Sequence, residues 1–387
     1  MSQNAGTTPV RSTGRYLRLM ACAVAVILAG PGCEANSSAG ISPTGAPSSS
    51  LPPSGVASTT VAPGPDTQGK PGHVFVINLE NKNYDTVWGP GSQAPYLSGS
   101  LRARGVLLST YYATAHQSNP NYLAQISGQP SNPLTRENCK TYVPFTPTAT
   151  ASPGVVEGTG CLYPASVPTV AGQLQRAGKT WKGYMEGMGT PCRHPEPGAE
   201  DDSRKSRGVD QYAMWHNPFV YFEEITSSPE CRSNVVDFTE FAGDLTSAAT
   251  TPNLSYITPN LCNDGHDNPC ADGSTGGLAA ADKWLQRQVP AILDSPAFRQ
   301  DGLLVITFDE AEGGSAGPSG LPGGTEGGLV GALVISQYAR GGTASEKPYN
   351  HYSLLATIED IFSVPRLGYA GAPGLDGFGP DVFNSRS

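Results

Sequence analysis

The sequence predicts an α/β protein on a doubly wound, mostly parallel sheet with helices on both faces. Three observations carry that expectation. Short apolar runs recur at Val74–Leu79, Val106–Tyr112, Trp181–Met185, Leu254–Thr258, Leu303–Phe308 and Leu329–Ile335, each of strand length. Helical patterns lie between them, and strands alternating with helices argue for βαβ units. The 47 glycines and 35 prolines imply long loops on that scaffold, where binding groups gather.

The elements follow in chain order. Residues 1–33 read as a signal peptide. Arg11, Arg15 and Arg18 precede the apolar stretch LMACAVAVILAG, which is too short to span a bilayer comfortably. Cys33 follows small residues and offers a site for a lipid tether to the membrane after cleavage. Gly30 stands where such signals usually carry a large aliphatic residue, so simple secretion stays open. Residues 34–72 are almost entirely Ser, Pro, Gly, Ala and Thr. They lack the apolar mass to offset chain entropy and read as a flexible tether. Residues 73–387 are long enough for one large core, with no internal repeat or second linker.

Two helices stand out inside that domain. TVAGQLQRAGKTW, after Pro168, puts Val170, Leu174 and Ala177 on one face; LAAADKWLQRQVPAILDS puts Leu285, Val289 and Leu293 on one face, with a kink expected at Pro290. Six cysteines lie beyond the signal region, an even count that suits disulfides in an exported chain. Pairing of sequence neighbours gives 139–161, 192–231 and 262–270, one of about 15 connectivities. The net charge is −9, and the only basic knot is SRKSR at 203–207. It reads as a solvated loop or a contact with an anionic head group; nothing points to nucleic acid. The oligomeric state is not legible.

Four strand-like runs end in polar residues that a simple core would not need. The first ends in Glu80-Asn81. The second leads into AHQSNPNY, with His116, Ser118 and Asn121. YITPNLCNDGHD brings Asn260, Asp264, His266 and Asp267. LLVITFDEAEGG brings Asp309, Glu310 and Glu312, and a later loop holds His351. Each has a plain structural reading: Glu80, Asp309 and Ser118 as helix caps, 264–268 as a turn, His351 as a loop histidine. Their coincidence at carboxyl ends of strands, where ligand sites of α/β sheets lie, needs more. Oxygen-rich ligands with one or two imidazoles suit a divalent metal ion. A hydroxyl beside such a metal becomes a nucleophile, which fits phosphoester hydrolysis.

The ordered set LENKNYD, HQSNPNYLAQISG, HNPFVYF, PNLCNDGHD, TFDEAEGG and NHYSLLATIED, over roughly residues 73–365, resembles the bacterial phosphoesterase family of secreted acid phosphatases and phospholipases C, within the alkaline phosphatase-like superfamily. The resemblance implies that fold and a phosphatase, either an acid phosphatase or one similar to phosphatidylinositol 3-phosphatases. Its substrate would be a phosphate ester, with a phospholipid or phosphoinositide among the candidates. It implies Ser118 as nucleophile through a phosphoserine intermediate, Asn121 and Asn260 on the phosphate, and Glu80, Asn81, Asp264, Asp309 and Glu310 around one or two metal ions. His266, with Asp264, and His351 would bind a second metal or touch the phosphate and protonate the leaving group, and His116 would steady the transition state. Glu80 and Glu310 depart from the two-zinc pattern, which leaves metal number and identity open.

Rival phosphatase chemistries lack their signatures: no Cys followed six residues later by Arg, no Asp-x-Asp at a strand tip, no Arg-His-Gly. A sulfatase would need an Arg that SNPNY lacks. Two alternatives remain. A phospholipase C would want an apolar rim, which MWHNPFVYF (214–222) could supply unless it is core. A catalytically inactive, surface-tethered binding protein would keep the fold and lose ligands.

Overall fold

The computed structural model describes residues 69–383 except 205–209, 314–316 and 319. The signal segment, Cys33 and nearly all of the tether lie outside the described residues, as does most of the basic knot. The described residues form thirteen strands: β1 (His73–Leu79), β2 (Val106–Leu108), β3 (Tyr111–Ala113), β4 (Thr146–Ala151), β5 (Val155–Thr159), β6 (Trp181–Met185), β7 (Val235–Asp237), β8 (Leu254–Thr258), β9 (Gly302–Phe308), β10 (Gly328–Leu329), β11 (Ala332–Ser336), β12 (Thr343–Ser345) and β13 (Tyr349–Asn350). Eight form the central sheet in the order β12-β2-β11-β9-β1-β8-β6-β7. All neighbours run parallel except β11, which is antiparallel to both β9 and β2.

Side chains alternate across a sheet, so a strand buried at every position is covered on both faces. Every residue of β1, β8 and β9 is buried, and β1 and β9 are seven residues of near-continuous apolar sequence. The helices form two packed groups: 118–127, 170–176 and 351–362 touch one another, and 277–294 packs on 96–101 and 296–301. The expected α/β class holds.

Two expected strands are split. The run 106–112 breaks at Ser109-Thr110, so that β2 joins the central sheet and β3 joins a small sheet in the order β10-β3-β13. The run 329–335 breaks at Val330-Gly331, whose amides both donate to the Tyr111 carbonyl at 3.0 Å. Gly331 sits at φ +75°, and a Cβ there would meet the Trp88 ring at 2.6 Å, so only glycine fits the corner. Apolar pattern alone marks neither change of sheet. The Pro290 helix runs unbroken from Gly277 to Asp294.

All three neighbour disulfides form: Cys139–Cys161, Cys192–Cys231 and Cys262–Cys270. The second ties the loop after β6 to the helix Glu230–Asn234 that leads into β7, and the third closes the turn that carries Asp264 and His266.

Candidate active site

β8, β1 and β9 are adjacent and parallel, so their carboxyl ends open onto one crevice. Leu79 pairs with Phe308, which sets Glu80 beside Asp309. The Glu80 amide donates to the Asp264 carbonyl at 2.9 Å, and the Asp309 amide to that of Leu79 at 2.9 Å. Neither Glu80 nor Asp309 caps a helix; the next helix starts at Tyr84 behind Asn83. Glu80, Asp264 and Asp309 are each 0% exposed.

Three buried carboxylates repel one another and lack water, so their charged forms are costly. Burial first, then the charges of Asp309 and Asp264, push the Glu80 carboxyl well above its usual range. Burial likewise raises Asp264. Burial and then the Glu310 charge push Asp309 up to about 7.

The imidazole of His216 lies between two of them, Nε2 at 3.3 Å from Glu80 and Nδ1 at 3.3 Å from Asp264. Glu80, His216 and Asp264 can offer three ligand atoms within 4.8 Å of one another. The side-chain oxygen of Asn81 faces the carboxylates of Asp309 and Glu80 at 2.9 to 3.2 Å, acceptor against acceptor. Turned over, the amide donates to both carboxylates. Even a protonated His216 would offset only one of three negative charges. The donor set therefore fits a divalent cation bound by oxygen and imidazole.

The helix Ser118–Ser127 brings the hydroxyl. Ser118 Oγ donates to Glu80 Oε2 at 3.0 Å. Tyr122, one turn on and so on the same face, donates to Glu80 Oε1 and stacks on His216 with ring centroids 5.2 Å apart. Just before Ser118, Gln117 adopts φ 72°, ψ 146°, a region costing a residue with a Cβ about 1–3 kcal/mol. Its carbonyl accepts from Asn121 Nδ2 at 3.0 Å, and its amide donates to Glu310 Oε2 at 3.1 Å. The helix closes at Gly128, φ +70°, where a Cβ would lie 2.2 Å from the Leu367 carbonyl oxygen.

The other expected residues fall as follows. His116, 43% exposed at its side chain, sets Nδ1 2.7 Å from Glu310 Oε2. Burial lifts Glu310 to about 7. Glu310 thus contacts His116 and the Gln117 amide. His266 accepts no buried position; its amide donates to Asp264 Oδ1 at 2.8 Å, its Nδ1 lies 2.8 Å from Asp267, and its ring is 6.4 Å from that of His216.

Three further expected residues are engaged in hydrogen bonds within the fold. Asn121 is fully buried and its amide is consumed inside the fold: Oδ1 accepts from the Thr114 and Ala115 amides, and Nδ2 donates to the Ala115 and Gln117 carbonyls. These bonds hold the turn before Ser118. Asn260 Oδ1 accepts from the Cys262 and Asn263 amides at 3.1 and 3.0 Å, a turn that delivers Asp264. His351 is buried at the start of the helix 351–362, under an Asn350 capping box. Its Nε2 lies 2.7 Å from the Asp309 carbonyl, and Nδ1 lies 3.0 Å from Tyr111 Oη and 3.2 Å from Gln125 Nε2. Burial lowers it to about 4, so it stays neutral and braces Asp309 from behind.

His216 and Tyr122 were missed. Tyr122 was findable from its place four residues after Ser118. His216 sits in HNPFVYF, whose apolar residues drew attention instead; Met214, Trp215, Phe219, Val220, Tyr221 and Phe222 are all buried, so this segment forms core and supplies no apolar rim.

The phosphoesterase family model matches residues 91–365. A probable acid phosphatase of Kluyveromyces lactis is 27% identical over 76% of this chain and 59% of its own length. An acid phosphatase of Aspergillus fumigatus is 27% identical over 76% of this chain and 55% of its own. The chain thus spans little more than half the length of these two. A phosphatidylinositol-3-phosphatase of Mycobacterium tuberculosis is 28% identical over 77% of this chain and 79% of its own. Among solved structures, a protein of the alkaline phosphatase superfamily from Vibrio parahaemolyticus is similar at 12% identity and a TM-score of 0.47, over 79% of this chain and 71% of that one. With the match running from 91 to 365, the chain belongs to the phosphoesterase family.

Proposed function

We propose that the chain is an exported, metal-dependent phosphomonoesterase that works through a phosphoserine at Ser118. The observation that carries this reading is the 3.0 Å contact of Ser118 Oγ with Glu80, inside a cluster of buried carboxylates with a deficit of positive charge. A hydroxyl placed against such a group is an activated nucleophile. Glu80, Asp264 and His216 would hold the cation, with Asn81 and Asp309 beside them. A divalent ion bound there would neutralise phosphoryl oxygens and favour the alkoxide of Ser118.

The chain's own residues do the rest. Ser118 passes its proton to Glu80 and attacks phosphorus in line. His116, oriented through Nδ1 by Glu310, presents Nε2 as acid to the departing alcohol. Water then attacks the phosphoserine with His116 as base, the bond from phosphorus to Ser118 Oγ breaks, and Glu80 returns its proton to Ser118. The backbone of Gln117 and the buried amide of Asn121 keep Ser118 at the helix start, so positioning is set before substrate arrives. Export is supported by three disulfides, which persist in oxidising compartments. No described helix is long and apolar enough to cross a membrane.

The test compares p-nitrophenyl phosphate with p-nitrophenylphosphorylcholine, using wild type and Ser118→Ala, with and without chelator. Monoester turnover that disappears in the variant and in chelator is expected. A preference for the diester would make the protein a phospholipase C-type enzyme, and no turnover of either would favour a binding role.

A further inference from the structure

Backbone strain in this molecule gathers beside the serine. Among the described residues six non-glycine positions have positive φ, and three of them, Gln117, Asn138 and Cys139, are neighbours in space or in the chain. Such outliers are costly and persist only where their surroundings impose them. Ser118 follows Gln117 directly, so whatever holds Gln117 also aims the hydroxyl.

Asn138 spans that serine. Its Oδ1 accepts from the Asn119 amide at 2.9 Å, and its Nδ2 donates to Gln117 Oε1 at 3.3 Å. One side chain thus grips residues on both sides of Ser118. The first amides of a helix lack intrahelical partners, and Gln117, at the start of this one, makes no side-chain cap bond. The missing acceptor comes instead from Asn138, 19 residues away.

Asn138 is itself held. It ends the short turn Thr135–Glu137 at φ 53°, ψ 36°, a left-handed conformation that asparagine tolerates better than most residues. Its amide donates to the Thr135 carbonyl at 2.9 Å, and the Cys139 amide donates to that of Leu134 at 3.0 Å. Cys139 is tied to Cys161. Arg204 Nη2 donates to the Asn138 carbonyl at 2.5 Å. The same guanidinium lies 4.3 Å from the centroid of the Trp215 ring, with Nε 3.3 Å from Asp201 Oδ2. The Trp215 carbonyl accepts from Asn119 Nδ2 at 3.3 Å, and His216 is the next residue. The start of the serine helix and the segment that carries His216 are therefore joined through Asn119, Asn138 and Arg204.

A Ser or Asp at position 117 would cap this helix locally. The strained glutamine and the distant asparagine do something else: they fix the backbone on both sides of Ser118, whose Oγ lies 3.0 Å from Glu80 Oε2. Resting on the phosphoserine reading, we propose that Asn138 is a positioning residue for Ser118, holding its hydroxyl in line for attack through residues 117 and 119. A misplacement of about 1 Å can cost about 10²-fold in rate.

The intact protein with added divalent cation would be assayed on p-nitrophenyl phosphate as wild type, Asn138→Gly and Asn138→Asp, with thermal midpoints beside the kinetics. Glycine fits φ 53° without strain and removes the side chain. Aspartate keeps an oxygen for the Asn119 amide, and Gln117 can turn its own amide to donate to it. Asn138→Gly should lower kcat by about tenfold or more, with KM within about threefold of wild type. Its thermal midpoint should fall by no more than about 5 °C. Asn138→Asp should return kcat to within about threefold of wild type. A glycine variant with full kcat, a loss confined to KM, or a loss that aspartate does not restore overturns the assignment; full kcat with a lowered midpoint would make Asn138 a structural cap and no more. Should Asn138→Gly not fold, Asn138→Ser, whose hydroxyl ends one bond short of the Oδ1 position, is read in its place. If wild type cleaves the ester and Ser118→Ala does not, a failure at Asn138 sinks this inference alone. If wild type cleaves no ester, the phosphatase reading falls and this inference falls with it.

Discussion

The two ends of β1 both bury a titratable side chain, and they treat it in opposite ways. At the start, His73 is 6% exposed and fully engaged: Nδ1 lies 2.5 Å from Asp301 and Nε2 lies 3.1 Å from the Ala248 carbonyl. A carboxylate and an imidazole meet there, so the pair is self-contained. At the far end, seven residues on, Glu80 is crowded by Asp309 and Asp264 with one imidazole among them. The first arrangement stabilises the fold by itself. The second crowds carboxylates together, which costs stability unless they take up protons or a cation.

That contrast can be broken most severely at Ser118. Ser118→Ala should lower kcat by about 10⁴-fold or more, while the thermal midpoint hardly moves. Loss of folding in this variant would mean that Ser118 is a structural cap.

Glu80→Gln and Asp264→Asn should cost about 10²-fold or more in activity. Yet each should make the chelated protein more stable, because it removes one of three like charges. His73→Ala should do the reverse, losing about 1–3 kcal/mol of stability with kcat near wild type. Denaturant titrations of all three variants, paired with assays, would show whether the ends of β1 are as different as the geometry says. A Glu80→Gln that destabilises the chelated protein would contradict it.

The pH dependence sharpens the same point. Asp309 and Glu310 are raised to about 7, so the folded state binds more protons than the unfolded between roughly pH 4 and 7. Stability of the chelated protein should therefore fall as pH rises through that window. The raised Glu80 and Asp264, and Glu359 raised to about 9, act in the same sense. His351, lowered to about 4, acts oppositely below about pH 6.5, but it is one group against several. Thermal scans from pH 5 to 8 in chelator should thus show a declining midpoint, and added divalent cation should restore more at pH 8 than at pH 5.

The smallest effect is expected at Gln117. Gln117→Gly should relieve the backbone strain and raise stability by up to about 1 kcal/mol, with a modest loss of kcat as Ser118 gains freedom.

Much of this was legible in residues. The strand tips at Glu80, Asp264 and Asp309 stand out because a carboxylate directly after an apolar run has no place in a simple core. The three disulfides followed from neighbour pairing. The splits at Ser109-Thr110 and Val330-Gly331 did not, because an apolar run looks the same whether it stays in one sheet or crosses to another. The asparagines and His351 were seen as polar groups near the site, but whether a buried amide faces a ligand or its own turn depends on backbone amides that a sequence does not display. His216 was hidden because its neighbours are core, and a histidine in an apolar segment reads as packing until two carboxylates are found on either side of it.

The most direct test of the central claim is calorimetric titration of divalent cations into the chelated protein at pH 7.5, on wild type and on Glu80→Gln. The account predicts saturable binding by wild type, a higher thermal midpoint on saturation, and loss of both in the variant. Wild type that binds no divalent cation, yet keeps full phosphatase activity, would contradict it.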